Sequence, residues 1–142
     1  MDHEEETAMQ QSADETQIRL VMENWARAVR AKDITRVVAD HTDDVLMFDV
    51  PPPVAVRGIS AYRDTWPPFF KWLTEGKGAF DIAELNVTAG DTVAFATALL
   101  RCASQEELAK DEPPRLRLTV GLRKVDDAWK IAHEHHSFPA EL

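Results

Sequence analysis

Residues 115–137 read RLRLTVGLRKVDDAWKIAHEHHS, and this stretch decides the fold. Apolar and polar side chains alternate through 115–125, and a second run of β-branched, aromatic and apolar residues follows at 128–137. The two aspartates between these runs are typical of a tight turn. The stretch therefore predicts two long antiparallel strands joined by a hairpin.

Two further runs of β-branched and apolar residues, at 80–88 and 92–103, precede this stretch. The residues between them, AGD at 89–91, predict a tight turn, whereas the polar and charged residues 104–114 predict a longer hairpin loop. We therefore expect the second half of the chain to form a meander of four strands.

The first half of the chain has a helical pattern. Ser12 and Glu15 have the S-x-x-E spacing of a capping box, which predicts that the first helix begins there. Asp33 is placed to cap a short second helix, and a third helix is expected after Gly58, interrupted by the Pro-Pro pair at 67–68. Apolar residues at helical spacing form the buried face of the first helix: Ile18, Val21, Met22, Trp25, Ala28 and Val29.

Between the second and third helices, residues 41–44 (HTDD) predict a turn, and residues 45–50 (VLMFDV) predict a strand that ends at three prolines. Three N-terminal helices followed by a mostly antiparallel sheet define an α+β fold. We expect a single domain at 14–142. Residues 1–13 are expected to be a disordered acidic tail, because they contain four acidic residues and no Lys or Arg.

The composition argues against several classes of function. Among 142 residues the chain has 16 basic and 25 acidic side chains, and a net charge of −9 disfavours nucleic acid and anionic membranes as partners. No apolar run approaches the roughly 20 residues of a membrane span. Cys102 is the only cysteine, which excludes an internal disulfide and a cysteine-rich metal site. Because the N-terminus is acidic rather than signal-like, we expect a cytoplasmic protein.

The order of elements and several motifs resemble the nuclear transport factor 2-like superfamily, and within it the ketosteroid isomerase and SnoaL-like polyketide cyclase branches. The matching motifs are AKD at 31–33, DD at 43–44, FDVP at 48–51, Gly58, and WKIAHEHHSFP at 129–139. The resemblance implies a cone-shaped barrel whose helices and curved sheet enclose a pocket. It also implies a homodimer through the outer face of the sheet.

Asp49 is the sharpest catalytic candidate, because it interrupts an apolar strand and an unpaired buried carboxylate is costly. In ketosteroid isomerases, which the chain resembles, the carboxylate that moves the proton lies at the matching place, five residues after the Asp-Asp pair. A carboxylate in an apolar pocket can act as a general base near neutral pH. Alternatively, Asp49 hydrogen-bonds a ligand, caps the turn at 51–53, or pairs with Arg57.

Other parts of the isomerase machinery are missing from the matching positions. The resemblance places Trp25 where the family has its oxyanion-hole tyrosine, and Gly121 where it has a protonated aspartic acid. An indole N–H can donate one hydrogen bond, but losing an oxyanion donor typically costs about 100–1,000-fold in rate. We therefore expect Trp25 and Gly121 to reshape the pocket rather than to support steroid isomerisation.

His133 and His135 lie two residues apart in the last strand, so they share a face with the apolar residues of that strand. This face is expected to point inward, while Glu134 and His136 face the other way. His135 would then be a catalytic acid or base and His133 a ligand contact. Alternatively, His135 and Ser137 satisfy buried backbone groups and hold the end of the strand, and His133 has no role in binding. A zinc site needs roughly three or four protein ligands, so we expect no metal.

Further residues are candidates for binding a ligand. Arg117 and Thr119 alternate with apolar residues on the face where the resemblance places the pocket, and they suit a carbonyl or carboxylate group; the alternative is solvent exposure. Tyr62, Trp66 and Phe70 belong to an aromatic cluster around the Pro-Pro pair. Most of this cluster is expected in the core, but flat rings at a pocket mouth suit a flat hydrophobic ligand.

Three functions remain open on the sequence alone. The first is an isomerase, cyclase or dehydratase that binds a small hydrophobic carbonyl compound, with Asp49 as general base. The second is a protein that binds such a compound without converting it, and the third is a dimeric scaffold. The sequence contains no Gly-rich phosphate loop and no Gly-x-Ser-x-Gly elbow, and we expect no cofactor.

Overall fold

The computed structural model describes residues 2–142. The elements of the first half are α1 (His3–Ala31), α2 (Ile34–Val38), β1 (His41–Phe48), β2 (Val56–Arg57), α3 (Ile59–Asp64) and α4 (Trp66–Glu75). Those of the second half are β3 (Ala79–Ala89), β4 (Val93–Ala103), α5 (Gln105–Leu108), β5 (Arg115–Val125) and β6 (Ala128–Ser137). The predicted meander of four strands in the second half is confirmed.

The six strands form one mixed, curved sheet in the order β2-β1-β6-β5-β4-β3. β1 and β6 pair in parallel, and every other neighbouring pair is antiparallel. A closed barrel requires hydrogen bonds between the two edge strands, and within residues 2–142 the edge strands β2 and β3 do not pair. The α+β class is confirmed, but the expected closure into a barrel is wrong, because the two-residue β2 ends the sheet at that edge.

α1 begins earlier than the capping motif predicts. The side chain of Asp2 caps the helix by accepting a hydrogen bond from the backbone N–H of Glu5, at 2.9 Å. Ser12 lies inside the helix, and residues 3–13, expected as a disordered tail, are helical with exposed side chains. Among residues 2–142, no helix is long and apolar enough to cross a bilayer.

Two features of the connection between α2 and α4 position the site. Residues 41–44, predicted as a turn, instead begin β1, because β6 supplies a parallel neighbour: the backbone N–H of Ile131 donates to the carbonyl oxygen of Asp40 at 2.7 Å. The Pro-Pro pair at 67–68 interrupts the third helix as expected. It lies in the first turn of α4, where backbone N–H groups have no partner within the helix.

One face of the sheet, called the inner face, packs against α1, α3 and α4, and the outer face lies opposite. Alternation in β5 places Leu116 and Leu118 on the inner face, and it places Gly121 on the outer face. A Cβ atom added to Gly121 would contact the Cβ of His133 at 3.4 Å, and that residue is also on the outer face. The expected position of Gly121 at the pocket is therefore wrong.

An irregularity of one residue decides which side chains of β6 face the helices. Ala132 has no partner in β5, although the residues on both sides of it are paired. This β-bulge shifts the alternation of the strand by one residue. His133 and His135 consequently lie on the outer face, whereas Glu134 and His136 are buried on the inner face. The predicted orientation of all four side chains is wrong for this reason.

Candidate functional site

A cavity of about 1150 Å³ opens at the end of the inner face where β4 and β6 end and β5 begins. Its walls combine apolar rings with a few polar groups, as is typical of small-molecule sites. The residues that line it include Asp49, Trp66, Phe69, Phe80, Cys102 and His136. The α5 connection and the C-terminal segment after β6 form the rim.

Glu134 is a fully buried carboxylate at the centre of a hydrogen-bonded cluster next to this cavity. Its Oε2 accepts a hydrogen bond from the hydroxyl of Tyr62 at 2.6 Å and lies 2.5 Å from Nε2 of His41. Its Oε1 lies 2.7 Å from Nε2 of His136. Burial opposes ionisation, but the hydrogen bonds of His136 and His41 outweigh it and lower the pKa of Glu134 to about 2.

His136 connects this cluster to the cavity. The ring is buried, with only 7% exposed, and its second nitrogen, Nδ1, lies 3.9 Å from Oδ1 of Asp49. Burial lowers the pKa of His136, but the hydrogen bond and charge of Glu134, with the charge of Asp49, raise it above its ordinary value. The raised pKa favours the protonated form of this ring, which lines the cavity beside a carboxylate.

Asp49 follows β1 directly and lines the cavity, as the sequence predicts for a pocket residue. The side chain is 23% exposed, so it is reachable from the cavity. Its Oδ1 accepts a hydrogen bond from the backbone N–H of Val50 at 2.8 Å. Within residues 2–142 it forms no salt bridge with Arg57, which was one of the alternatives.

Tyr62 and Trp25 support the cluster from the helices and do not line the cavity. The indole N–H of Trp25 donates to the hydroxyl oxygen of Tyr62 at 3.1 Å, and both residues are buried. Burial and the neighbouring charge of Glu134 raise the pKa of Tyr62 well above its usual value. Tyr62 therefore remains protonated and donates a hydrogen bond to Glu134. The indole of Trp25 serves this chain of donors rather than a ligand.

The remaining sequence candidates fall into two groups. Arg117, Thr119, His133 and His135 lie together on the outer face, away from the cavity. There the Nε of Arg117 donates to the hydroxyl of Ser137 at 3.1 Å. The predicted homodimer through this face stays a prediction. On the helical side, Trp66 lines the cavity as expected, whereas Phe70 packs behind it, with ring centroids 6.0 Å apart.

Sequence reasoning missed three residues of the site, namely His41, Glu134 and His136. Glu134 lacked the signal that Asp49 carries, because it lies between two histidines rather than between apolar residues. His41 was assigned to a turn and His136 to the wrong face. Both errors come from pairing irregularities of β1 and β6, which hydrophobic alternation does not reveal.

Metal binding and thiol chemistry depend on how the His, Cys, Asp and Glu side chains are arranged. Within residues 2–142, no group of three or more His, Cys, Asp or Glu side chains is arranged to hold a metal ion. Cys102 lines the cavity, but burial and the charges of Glu107 and Asp49 raise the pKa of its thiol to about 12. The thiol is therefore protonated at neutral pH and is a poor nucleophile.

Comparisons with known proteins agree with this architecture. The profile of the SnoaL-like domain family matches residues 18–141. An NTF2-like protein of unknown function from Pseudomonas putida has 34% identity and a TM-score of 0.82, covering 92% of this chain and 90% of that chain. No curated protein is significantly similar to this chain in sequence.

Two more distant structures share the fold. A ketosteroid isomerase-like protein from Erwinia carotovora has 19% identity and a TM-score of 0.60, covering 89% of this chain and 96% of that chain. A candidate dehydratase of the NTF2-like family from Streptomyces avermitilis has 14% identity and a TM-score of 0.72, covering 92% and 99%. At these identities the likeness concerns the fold alone.

Proposed function

Because the chain belongs to the SnoaL-like domain family, we propose that it binds a small hydrophobic carbonyl compound in the cavity and transfers a proton within it. Isomerases, cyclases and dehydratases perform this type of reaction. The observation that carries the proposal is the placement of Asp49 and His136 on one cavity wall, 3.9 Å apart. One of these groups can accept a proton, and the other can donate a hydrogen bond.

The two groups have complementary roles in this reaction. The carboxylate of Asp49 removes a proton from the carbon next to the carbonyl, and the electron pair of the broken C–H bond moves onto the carbonyl oxygen. The Nδ1–H of the His136 imidazolium donates a hydrogen bond to this oxygen as its negative charge develops. Protonated Asp49 then returns the proton to the same or another carbon of the ligand, which restores the carboxylate.

The cavity walls favour a flat apolar ligand. Trp66 packs edge to face against Phe69 and Phe80, with ring centroids 5.5 Å and 6.3 Å away, so three aromatic residues form one wall. Aromatic surfaces of this kind bind flat hydrophobic molecules without needing many polar contacts.

The proposal is tested by hydrogen exchange rather than by turnover of a named substrate. Cyclic and aromatic ketones are incubated with the protein in D₂O, and deuterium uptake next to the carbonyl is followed by NMR. We expect Asp49→Asn to reduce the catalysed exchange at least about 100-fold, in the range typical of losing a general base. Asp44→Asn is the matched control, because Asp44 is an exposed carboxylate that pairs with Arg123, away from the cavity. This variant should catalyse the exchange at the wild-type rate.

The same experiment separates the alternatives. Ketones that raise the melting temperature of the protein without exchanging would support a binding protein that performs no catalysis. Exchange that is equal in the wild-type protein and in Asp49→Asn would contradict the role of Asp49 as base. A full panel with neither binding nor exchange would favour the scaffold alternative.

A further inference from the structure

We infer that Glu134 is a positioning residue, which holds His136 as a cation and directs its Nδ1–H, rather than Nε2–H, toward the cavity. Glu134 does not line the cavity and cannot touch a ligand there. It acts through the 2.7 Å contact between its Oε1 and Nε2 of His136. The inference deepens the proposed function and rests on it for its catalytic meaning, but the state of His136 can be measured without any ligand.

The orientation of the His136 imidazole is fixed by its contacts in the core. With Nε2 engaged by Glu134 deep in the core, only Nδ1 remains for the cavity and for Asp49. The ring is further held by Trp25, which lies edge-on with ring centroids 6.3 Å apart. A ring rotated by half a turn would lose the contact with the buried carboxylate, which is costly for both partners.

The positive charge of His136 depends on the groups that surround its ring. The charged and titratable groups around His136 are Glu134 on β6, Asp49 after β1, Tyr62 on α3, His41 on β1 and Cys102 on β4. The phenol of Tyr62 and the thiol of Cys102 are both protonated at pH 7 and therefore carry no charge. Glu134 is in direct contact with His136, whereas the carboxylate of Asp49 is 3.9 Å away and partly exposed. The buried, close carboxylate must therefore dominate.

The hydrogen-bond partners of Glu134 keep its carboxylate ionised. Its two oxygens share three partners, His136 on one oxygen and His41 with Tyr62 on the other. The hydroxyl of Tyr62 receives a hydrogen bond from Trp25, so the phenol proton is directed toward Glu134. This chain of donors compensates the cost of burying a carboxylate and leaves it available to pair with His136.

The experiment measures the protonation and tautomer of His136 by ¹⁵N-edited NMR in the unliganded protein, across a pH series. In the wild type we expect both ring nitrogens protonated at neutral pH and a midpoint above the ordinary value. Glu134→Gln keeps an oxygen acceptor but removes the charge. We expect it to lower the midpoint by more than about one pH unit, a tenfold change in the protonation equilibrium. Asp49→Asn should lower it much less.

The outcomes are decisive even if Glu134→Gln does not fold. A neutral His136 in the wild type at pH 7, or Nδ1 rather than Nε2 engaged with the carboxylate, would overturn the inference. A larger effect from Asp49→Asn than from Glu134→Gln would also overturn it. Asp14→Asn serves as the control for a buried carboxylate elsewhere and should leave the midpoint unchanged. If His136 behaves as expected but no ketone exchanges, the proposed function fails while the positioning role stands.

Discussion

Two buried carboxylates, Asp14 and Glu134, lie in the same core and have opposite kinds of partner. Asp14 is 2% exposed and receives hydrogen bonds from the Trp129 indole at 3.0 Å and from Gln10 at 3.2 Å, with Nζ of Lys124 at 2.9 Å. It therefore ties α1 to β5 and β6. Within residues 2–142, neither Asp14 nor these partners line the large cavity.

Glu134 differs because its partners are two histidines and a tyrosine, of which one reaches the cavity. Indole, amide and ammonium groups hold their protons across the physiological range, whereas imidazole gains and loses a proton near neutral pH. A carboxylate among permanent donors acts as a tether between elements. A carboxylate among titratable groups, next to an opening, can instead control a proton that a ligand meets.

The largest expected effect on stability is that of removing the Glu134 side chain. We expect Glu134→Ala to lower the free energy of unfolding by about 3–5 kcal/mol, because it leaves two histidines and a tyrosine without their shared acceptor. Urea denaturation followed by circular dichroism measures the change. His135→Ala, on the adjacent outer-face position, is the matched control and should change stability by less than about 0.5 kcal/mol. Equal effects of the two variants would contradict the assigned faces of β6.

A smaller effect is expected at the tether. Asp14→Asn should lower the free energy of unfolding by about 1–3 kcal/mol, because Lys124 and Trp129 lose a charged acceptor. Lys124→Met should cost a similar amount, and the double variant should cost less than the sum of both, as residues in one network are coupled. Additive effects in urea denaturation would show that Asp14 and Lys124 do not act together.

The smallest expected effect is a difference between the two carboxylate networks in how stability depends on pH. Lowered pKa values of Asp14 and Glu134 give stability that is present above the unfolded values of 3.8 and 4.5 and is lost as pH falls through the folded values, about 2 for Glu134. The raised pKa of His136 gives stability that is complete below 6.5 and is lost as pH rises through its folded value. Of the two carboxylate networks, that of Glu134 therefore contributes a loss on the alkaline side, whereas the lowered pKa of Asp14 contributes a loss only on the acid side.

Thermal unfolding across the pH range measures both losses. We expect His136→Gln to flatten the alkaline side of the stability curve, whereas Asp14→Asn should leave that side unchanged and alter only the acid side. An alkaline loss that persists undiminished in His136→Gln would assign it to another group and would weaken the distinction between the two carboxylates.

Much of this fold follows from local pattern. The meander strands, the first helix and the break at the Pro-Pro pair all follow from hydrophobic spacing and proline chemistry, which act over a few residues. Asp49 was singled out for the same reason, since a carboxylate in an apolar strand is visible in the sequence, and its role stays a prediction. Barrel closure was not predictable in this way, because it depends on whether β2 and β3 meet.

The cluster around Glu134 was hidden for a physical reason as well. It depends on the parallel pairing of β1 with β6, which brings His41 to a residue 93 positions later in the chain. It also depends on Ala132, whose lack of a partner carries no signature in hydropathy. The resemblance to ketosteroid isomerases points to the positions of Trp25 and Gly121. The titratable groups of the cluster around Glu134 instead lie on β1, α3 and β6.

The bulge at Ala132 also has an evolutionary meaning. A single-residue insertion or deletion at this point would exchange the inner-face and outer-face members of His133–His136 in one step, with no side chain replaced. Homologues that differ only by such a gap would align almost perfectly here and yet present opposite residues to a ligand. In such a pair, the position of the gap rather than the identity of the residues would decide which histidines face the helices.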